Sequence, residues 1–281
     1  MIIGTVTDHR SREGGAMIYP VYSRRSGGLS IGINLFPDRK LCSFDCPYCE
    51  VFPFETDIPF SLDTMKTALG SAIREARKNE IPIMDICFSG NGEPTMSPFF
   101  TEAVNTAATV HSGLAGDAKL VVITNGSGLL DKELFEFLKT ASLQPVNLNV
   151  WLKLDAATEA WYRLMNRSRI LHDELISCIK KFSSSAVPFT IQTMICKIKG
   201  ILPPQDESVA WVHLVTELAV LSCSGRNRSG LKAVQIYGKA RPAGEDPLAE
   251  AVPLAVLEER SSQLCQALKK AGIIVPVEVY E

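Results

Sequence analysis

The feature that most constrains the fold of this sequence is a repeated alternation of short apolar runs with longer amphipathic segments. Six apolar runs have the length of a buried strand and occupy residues 30–36, 83–89, 119–124, 147–154, 189–196 and 232–237. Parallel neighbouring strands need a long return connection, which is usually a helix. The alternation therefore predicts an α/β fold of parallel strands joined by right-handed helical crossovers.

Helical patterns follow the apolar runs. Residues 61–78 repeat apolar side chains at helical spacing behind Ser61, a residue type that favours helix N-caps. The pair Ser97 and Pro98 predicts the start of the next helix, with the serine as N-cap and the proline as the first helical residue. Further helices are predicted at residues 131–140, 156–165, 172–182, 207–221 and 254–271. After them, Pro276 favours an edge position for a final strand.

Six strand-helix units are too few for a closed barrel of eight. The pattern alone leaves an open partial barrel and a flat doubly wound sheet as alternatives, and in both the ligands lie at the C-terminal ends of the strands. With 281 residues, 46% of them hydrophobic, residues 1–281 are expected to form a single domain. Within it we expect an N-terminal extension at 1–29, a core at about 30–240, and a C-terminal helix and strand at about 250–281.

Charge and targeting signals restrict the possible partners and the location. The chain has 29 basic and 31 acidic residues, so it lacks the global positive field that drives non-specific binding to nucleic acid, although a local basic patch stays possible. The first fifteen residues contain no apolar signal-peptide region, and no run of about 18 apolar residues occurs anywhere. We therefore expect a cytoplasmic protein without a membrane partner.

The eight cysteines divide into a tight group and a scattered group. Three of them fall within residues 42–49, and a tight group in a reducing compartment indicates metal binding more often than disulfides. The scattered cysteines lie in apolar or amphipathic runs, where a buried thiol acts as a small hydrophobic side chain. They are Cys87, Cys178, Cys196, Cys223 and Cys265.

The tight group has the spacing C-x3-C-x2-C, with thiols at Cys42, Cys46 and Cys49. Three thiolates can hold three irons of a cubane iron-sulfur cluster and leave the fourth iron open to a chelating ligand. Structural zinc is the rival interpretation, but it requires four closed ligands, and His9 and His111 are remote in sequence. The spacing therefore favours a cluster over zinc.

With Tyr48 just before the last cysteine, this loop resembles the signature of the radical S-adenosylmethionine (radical SAM) superfamily. Three further stretches are similar to that superfamily: SGNGEP at residues 89–94, ITNG at 123–126 and KLDA at 153–156. Each ends a predicted strand, in the order common in the superfamily. The resemblance implies a partial (β/α)6 barrel of parallel strands with outer helices.

The resemblance also implies two cofactors, a 4Fe-4S cluster on the three cysteines and S-adenosylmethionine on the open iron. It assigns the cofactor contacts to residues at the strand ends, with Glu93 near the amino group and Tyr48 near the adenine. The candidate cofactor-binding residues are Tyr48, Gly90, Asn91, Gly92, Glu93, Asn125, Asp155 and Gln192. Two plainer alternatives stay open: GNGEP as an ordinary turn, and Asp155 as the N-cap of the following helix.

A closer resemblance, to radical SAM proteins grouped with wyosine synthase, lies upstream of the cysteines. The segment PVYSRR, with Arg24 and Arg25, matches an element of that group, and QIYGKARP, with Arg241, continues the likeness. The three arginines either converge on an anionic group or are exposed on the surface. No cysteine precedes Cys42, so the upstream second cluster of wyosine synthase is not expected. Lys153 is a site candidate only because it lies at a strand end.

The leading hypothesis is a radical SAM enzyme that cleaves S-adenosylmethionine reductively to a 5′-deoxyadenosyl radical, which abstracts hydrogen from an unidentified substrate. An electron donor such as flavodoxin or ferredoxin is the partner that this chemistry implies. The alternatives are an activase that places a radical on a partner protein, and a non-catalytic protein whose cysteine loop is a structural metal site. A structural site has no use for an open coordination position, which favours the enzyme.

Overall fold

The computed structural model describes residues 3–4, 15–185, 187–223, 230–241 and 248–281. The chain divides into two compact units. Unit 1 consists of Met1–Cys42, Val51–Thr124 and Gln144–Asn149, and unit 2 of Ser43–Glu50, Asn125–Leu143 and Val150–Glu281. The single domain expected from the sequence stays a prediction.

Unit 1 is a layer of strands covered by two helices. Its strands are β1 (Ile18–Ser23), β2 (Gly28–Ile33), β3 (Ile83–Phe88) and β4 (Lys119–Thr124), and its helices are α1 (Leu62–Lys78) and α2 (Phe100–Leu114). Strand β1 is antiparallel to β2, whereas β2, β3 and β4 are parallel neighbours in that order. Leu29, Ile31 and Ile33 of β2 are fully buried, so the apolar runs form the core as predicted.

The start of α1 matches the prediction, and the start of α2 does not. The Ser61 hydroxyl accepts a hydrogen bond from the backbone N–H of Thr64 and caps α1. Ser97 does not cap a helix that begins at Pro98. Its hydroxyl accepts instead from the N–H of Phe99 at 3.3 Å, and α2 begins only at Phe100. A serine side chain that bonds two residues ahead competes with the helical cap, and here the local turn is formed.

Unit 2 contains a second parallel set of strands and most of the helices. Its elements are α3 (Lys132–Ala141), β5 (Asn149–Lys153, whose first residue belongs to unit 1), α4 (Glu159–Met165), α5 (His172–Ser183), β6 (Phe189–Ile195), β7 (Lys197–Ile198), α6 (Gln205–Cys223), β8 (Leu231–Gly238), β9 (Ala249–Glu250), α7 (Leu254–Lys270) and β10 (Val277–Tyr280). Strands β5, β6, β8 and β10 are parallel neighbours in that order, and β7 pairs with β9.

All six predicted strands are present, and the α/β class with parallel strands between helices is confirmed. Strand β10 is the last strand in its sheet order and pairs with β8, which confirms the edge strand predicted after Pro276. Strand β1 was not predicted. Residues 224–229 and residues 242–247, which follow Arg241, lie outside the described residues. No helix in the described part of the chain is long and apolar enough to cross a membrane.

Candidate functional site

The segment Ser43–Glu50 of unit 2, which we call the cysteine loop, contains Cys46 and Cys49. The N–H of Cys49 donates to the carbonyl of Cys46 at 2.9 Å and closes a tight turn between the two cysteines. At the start of the loop, the hydroxyl of Ser168 donates to the carbonyl of Ser43 at 3.0 Å. The N–H of Asp45 donates to the carbonyl of Asn166 at 2.9 Å. The loop has no helix or strand, so these contacts set its conformation.

Asn125, the first residue after β4, also binds the start of the cysteine loop. Its side-chain amide donates to the hydroxyl of Ser43 at 3.0 Å, and its amide oxygen accepts from the N–H of Ser127 at 2.9 Å. The Ser43 hydroxyl in turn donates to that of Ser127 at 2.8 Å. Asn125, which was predicted as a cofactor ligand, therefore helps to position the cysteine loop.

Tyr48, in the middle of the cysteine loop, belongs to a buried hydrogen-bonded network at the end of β5. Its hydroxyl donates to Asp155, and the ammonium group of Lys153 donates to Asp155 at 2.9 Å and also to the hydroxyl of Tyr237. The Lys153 ammonium lies 4.9 Å from the ring centre of Tyr48 and 4.7 Å from that of Tyr237. A carboxylate and two aromatic faces thus surround one cation.

Asp155 accepts from two further groups, the N–H of Met194 at 2.8 Å and the side-chain amide of Asn166 at 3.5 Å. The helix that follows is capped by Thr158, whose hydroxyl accepts from the N–H of Trp161, so the alternative that Asp155 is this helix cap is wrong. Asp155 instead connects the cysteine loop to β5 and β6.

Protonation states in this network follow from burial and from the Asp155 carboxylate. Burial by itself lowers the pKa of Lys153, but Asp155 and Tyr237 outweigh that effect and leave the pKa raised. Burial, followed by the nearby Asp155 carboxylate, raises the pKa of Tyr48 well above its ordinary value. Lys153 is therefore an ammonium ion at neutral pH, and Tyr48 is a neutral phenol.

The last residue of the cysteine loop is held by an ion pair. The guanidinium of Arg241, three residues after β8, contacts the Glu50 carboxylate at 2.6 Å, and both side chains are largely buried. The sequence suggested Arg241 as a ligand of an external anion, and the structure gives it an internal anionic partner. Arg24 and Arg25 lie in unit 1, in the turn between β1 and β2.

In unit 1, the GNGEP segment forms backbone hydrogen bonds with Leu41, the residue before Cys42. The N–H of Leu41 donates to the carbonyl of Asn91 at 3.0 Å, and the N–H of Glu93 donates to the carbonyl of Leu41 at 2.9 Å. A Cβ on Gly92 would lie 1.8 Å from the Leu41 oxygen. The backbone next to Cys42 therefore leaves no room for a side chain at position 92. The sequence pattern did not reveal this constraint.

Asn34, immediately after β2, organises the other half of the GNGEP segment. Its side-chain oxygen accepts from the N–H groups of Asn91 and Phe36, both at 3.1 Å. The side-chain amide of Asn91 donates to the carbonyl of Phe36 at 3.1 Å. Gly90 has a φ of 118°, which favours glycine. Asn34 was missed in the sequence, although a buried polar residue that directly follows a strand is a signal for such a role.

Glu93 is buried, and one of its carboxylate oxygens accepts three hydrogen bonds. The donors are the N–H and hydroxyl of Thr95, at 3.2 and 2.7 Å, and the hydroxyl of Thr124 at 2.7 Å. Thr124 ends β4 and Thr95 lies in the 3-10 helix after β3, so a strand end and a short helix together fix the orientation of this carboxylate. GNGEP is a turn that leads into a 3-10 helix at Pro94–Met96, and it also fixes an acidic group at the end of a strand.

The remaining predicted site residue, Gln192 of β6, is fully buried and donates to the side-chain oxygen of Gln235 at 2.7 Å. Cys42, Cys46 and Cys49 form no disulfide and are half-buried. Their thiols are thus chemically suited to be ligands of a cluster. In the described part of the chain, no three His, Cys, Asp or Glu residues are grouped so that they could hold one metal ion.

The structure is thus a parallel α/β fold with polar side chains after several strand ends. The family model described as "Radical SAM superfamily" matches residues 40–201, more than half of the chain. The chain therefore belongs to the radical SAM superfamily.

Solved structures of radical SAM enzymes have the same fold. The structure of SuiB from Streptococcus suis bound to S-adenosylmethionine has a TM-score of 0.63 at 13% identity, and the match covers 91% of this chain and 52% of that one. The structure of TYW1 with a lysine-pyruvate adduct has a TM-score of 0.53 at 15% identity, with 84% of this chain and 73% of that one covered. The fold predicted from the resemblance, the partial barrel of the radical SAM type, is confirmed.

Among curated sequences, the chain is 28% identical over 145 residues to a UPF0026 protein of Helicobacter pylori (strain ATCC 700392 / 26695), a match that covers 48% of this chain and 44% of the relative. The chain thus spans less than half the length of this relative.

Proposed function

We propose that this chain binds a 4Fe-4S cluster and S-adenosylmethionine and generates a 5′-deoxyadenosyl radical that abstracts a hydrogen atom from a substrate. The observation that carries the proposal is the C-x3-C-x2-C loop inside the segment matched by the superfamily model. Cys42, Cys46 and Cys49 would hold the cluster. When bound, it supplies one electron to the sulfonium, whose S–C5′ bond breaks to give methionine and the radical. The electron comes from a donor such as flavodoxin or ferredoxin.

The protein side of the proposal is the positioning of S-adenosylmethionine. Glu93, fixed by Thr95 and Thr124, would accept hydrogen bonds from the amino group, since a carboxylate binds an ammonium strongly. The backbone of Gly90, Asn91 and Gly92 would line the same end of the cofactor. Tyr48 would lie near the adenine. Asn125, Asp155 and Gln192 are proposed around the ribose and carboxylate.

Lys153 is not proposed as a nucleophile. An amine must lose its proton before it attacks a carbonyl, and the Asp155 carboxylate raises the pKa of Lys153. The solved structure of TYW1 contains a lysine-pyruvate adduct. The ammonium form of Lys153 does not support such an adduct here, and a positioning role for Lys153 beside Tyr48 fits its contacts better.

The test is anaerobic reconstitution with iron and sulfide, reduction with dithionite, and chromatographic detection of 5′-deoxyadenosine formed from S-adenosylmethionine. We expect the wild-type chain to form it and Cys42→Ala, Cys46→Ala and Cys49→Ala each to abolish it. Cys265→Ala is the matched control, because Cys265 is exposed on α7 and should not affect the reaction. Absorbance near 400 nm accompanies the cluster, whereas zinc is colourless. Full activity in Cys42→Ala, Cys46→Ala or Cys49→Ala would contradict the ligand assignment.

A further inference from the structure

The strands of unit 2 carry one row of polar residues that is aligned across four neighbouring strands. At one register position, the aligned residues on β5, β6, β8 and β10 are Leu152, Ile191, Val234 and Val277. One residue further along each strand, the aligned residues are Lys153, Gln192, Gln235 and Glu278. Successive side chains point to opposite faces of a sheet, so the second set lies together on one face. We call these four residues the polar row.

A polar row is unusual in a parallel sheet. Strands of such sheets are normally apolar on both faces, because helices cover both. Gln192 is fully buried and Gln235 is 5% exposed, and burying a polar group is unfavourable unless it is hydrogen-bonded. The amide of Gln192 donates to Gln235, and that of Gln235 donates to the Glu278 carboxylate at 3.0 Å. The side-chain hydrogen bonds of the two glutamines thus form a chain that ends at Glu278.

The two ends of the row have similar groups but different charge balance. At the β5 end, the carboxylate of Asp155 and the hydroxyl of Tyr237 surround the ammonium of Lys153. At the β10 end, Glu278 accepts from Gln235 and from the hydroxyl of Tyr280 at 2.8 Å, and both donors are neutral. Within the described ranges, no Lys, Arg or His forms an ion pair with Glu278.

We infer that Glu278, with Tyr280 and Gln235, forms a substrate subsite that binds a cationic group, either an ammonium or a guanidinium. Glu278 and Tyr280 are half-buried, so an incoming group can reach them without unfolding of the strand. A carboxylate beside a tyrosine is a favourable environment for an organic cation, and at the other end of the row the Lys153 ammonium lies beside Asp155 and Tyr237. The inference rests on the proposed function, because it names a group that the substrate of that reaction presents.

The position of the subsite in the chain supports a role in specificity. Strands β8 and β10 both lie outside residues 40–201, the part of the chain that the superfamily model matches. Radical initiation is the shared step of the superfamily, and substrate recognition is the step that differs between enzymes on one fold. Gln235 and Glu278 lie beyond the shared segment and extend the polar row that contains Lys153 and Gln192. They are therefore placed to determine substrate specificity.

The experiment uses the full reconstituted chain labelled with 3-fluorotyrosine, which gives one fluorine signal for each of six tyrosines. The Tyr280 signal is assigned with Tyr280→Phe. Methylguanidinium and methylammonium are titrated as separate probes, with butanoate as the anionic control. We expect a saturable shift of the Tyr280 signal with at least one cation and none with butanoate, and the stronger cation identifies which group the substrate carries.

Glu278→Gln keeps the acceptor oxygen for Tyr280 and removes the charge, and it should weaken cation binding about tenfold or more. Glu258→Gln makes the same charge change on the exposed side of α7 and should leave binding unchanged. No saturable shift with either cation, an equal response to butanoate, or unchanged binding in Glu278→Gln would overturn the inference. If the same preparation still releases 5′-deoxyadenosine, only the subsite is wrong. If the cations bind but no 5′-deoxyadenosine forms, Glu278 is a cation-binding site, and both the proposed function and the subsite's role in that reaction are wrong.

Discussion

Gly92 has no side chain because the backbone of Leu41 occupies the position where a Cβ would lie, at 1.8 Å from the oxygen. We expect Gly92→Ala to lower the free energy of unfolding by about 1–3 kcal/mol, because the two segments must separate. Gly113→Ala is the control, since nothing lies within 4 Å of its Cβ and alanine favours the helix by about 0.5–1 kcal/mol. Urea unfolding measures both. Equal stability of the two variants would contradict the steric argument.

The buried carboxyl group of Asp85, in β3, makes the free energy of unfolding depend on pH, and the direction of that dependence follows from its pKa. Burial raises the pKa of this carboxyl group, although hydrogen bonds from Ser26 and Ser30 oppose the shift. The folded protein therefore holds the proton to higher pH than the unfolded chain, whose carboxyl has a pKa of about 3.9. The contribution of Asp85 to stability is complete below that value and falls as the pH rises through the folded-state pKa.

Asp85→Asn removes this titration and keeps an oxygen that can accept from Ser30. We expect the free energy of unfolding of the wild type, minus that of Asp85→Asn, to fall as the pH rises from about 4. Urea titrations of both proteins between pH 4 and pH 8, with pH values about one unit apart, measure the difference. A difference that rises with pH would show that the hydrogen bonds to the carboxylate outweigh its burial.

At the scale of elements, the sequence predicted strands and helices best where a single property determined them. The six buried strands were predicted because β-branched and apolar runs have few alternatives in a core. Strand β1 was missed because Pro20 interrupts its apolar residues and Tyr22 is exposed. The predicted start of α2 was wrong because two local interactions compete for Ser97, whose hydroxyl accepts a hydrogen bond from the N–H of Phe99 instead of capping the helix.

In the candidate site too, some features could be predicted from the sequence and others could not. The resemblance to the superfamily was sufficient to predict polar residues that follow strands, such as Glu93 after β3 and Asp155 after β5. It did not indicate that Tyr48 bonds Asp155, because that contact depends on how the cysteine loop folds against β5, or that Gln192 bonds Gln235, because that contact depends on the register of β6 and β8. Strand register is a property of a pair of strands, and the sequence of either strand by itself does not determine it.

At the scale of the whole molecule, the cysteine loop is the segment whose stability should depend most on a bound cluster. Residues 43–50 contain no helix or strand and are held by a few polar contacts, among them the Glu50–Arg241 ion pair. A cluster that binds the folded chain and not the unfolded one adds its binding free energy to folding. The loop should then be less well ordered in the cluster-free protein.

We therefore expect anaerobic reconstitution with iron and sulfide to raise the Tm of the wild-type chain on the order of 5 °C. Calorimetry of the reconstituted and cluster-free proteins measures the shift, which does not depend on turnover. Cys46→Ala should lose most of the gain, because it removes one thiolate ligand, and Cys265→Ala should retain it. An equal gain in Cys46→Ala would mean that iron binds elsewhere on the chain, and it would contradict the assignment of the cysteine loop even if 5′-deoxyadenosine formed.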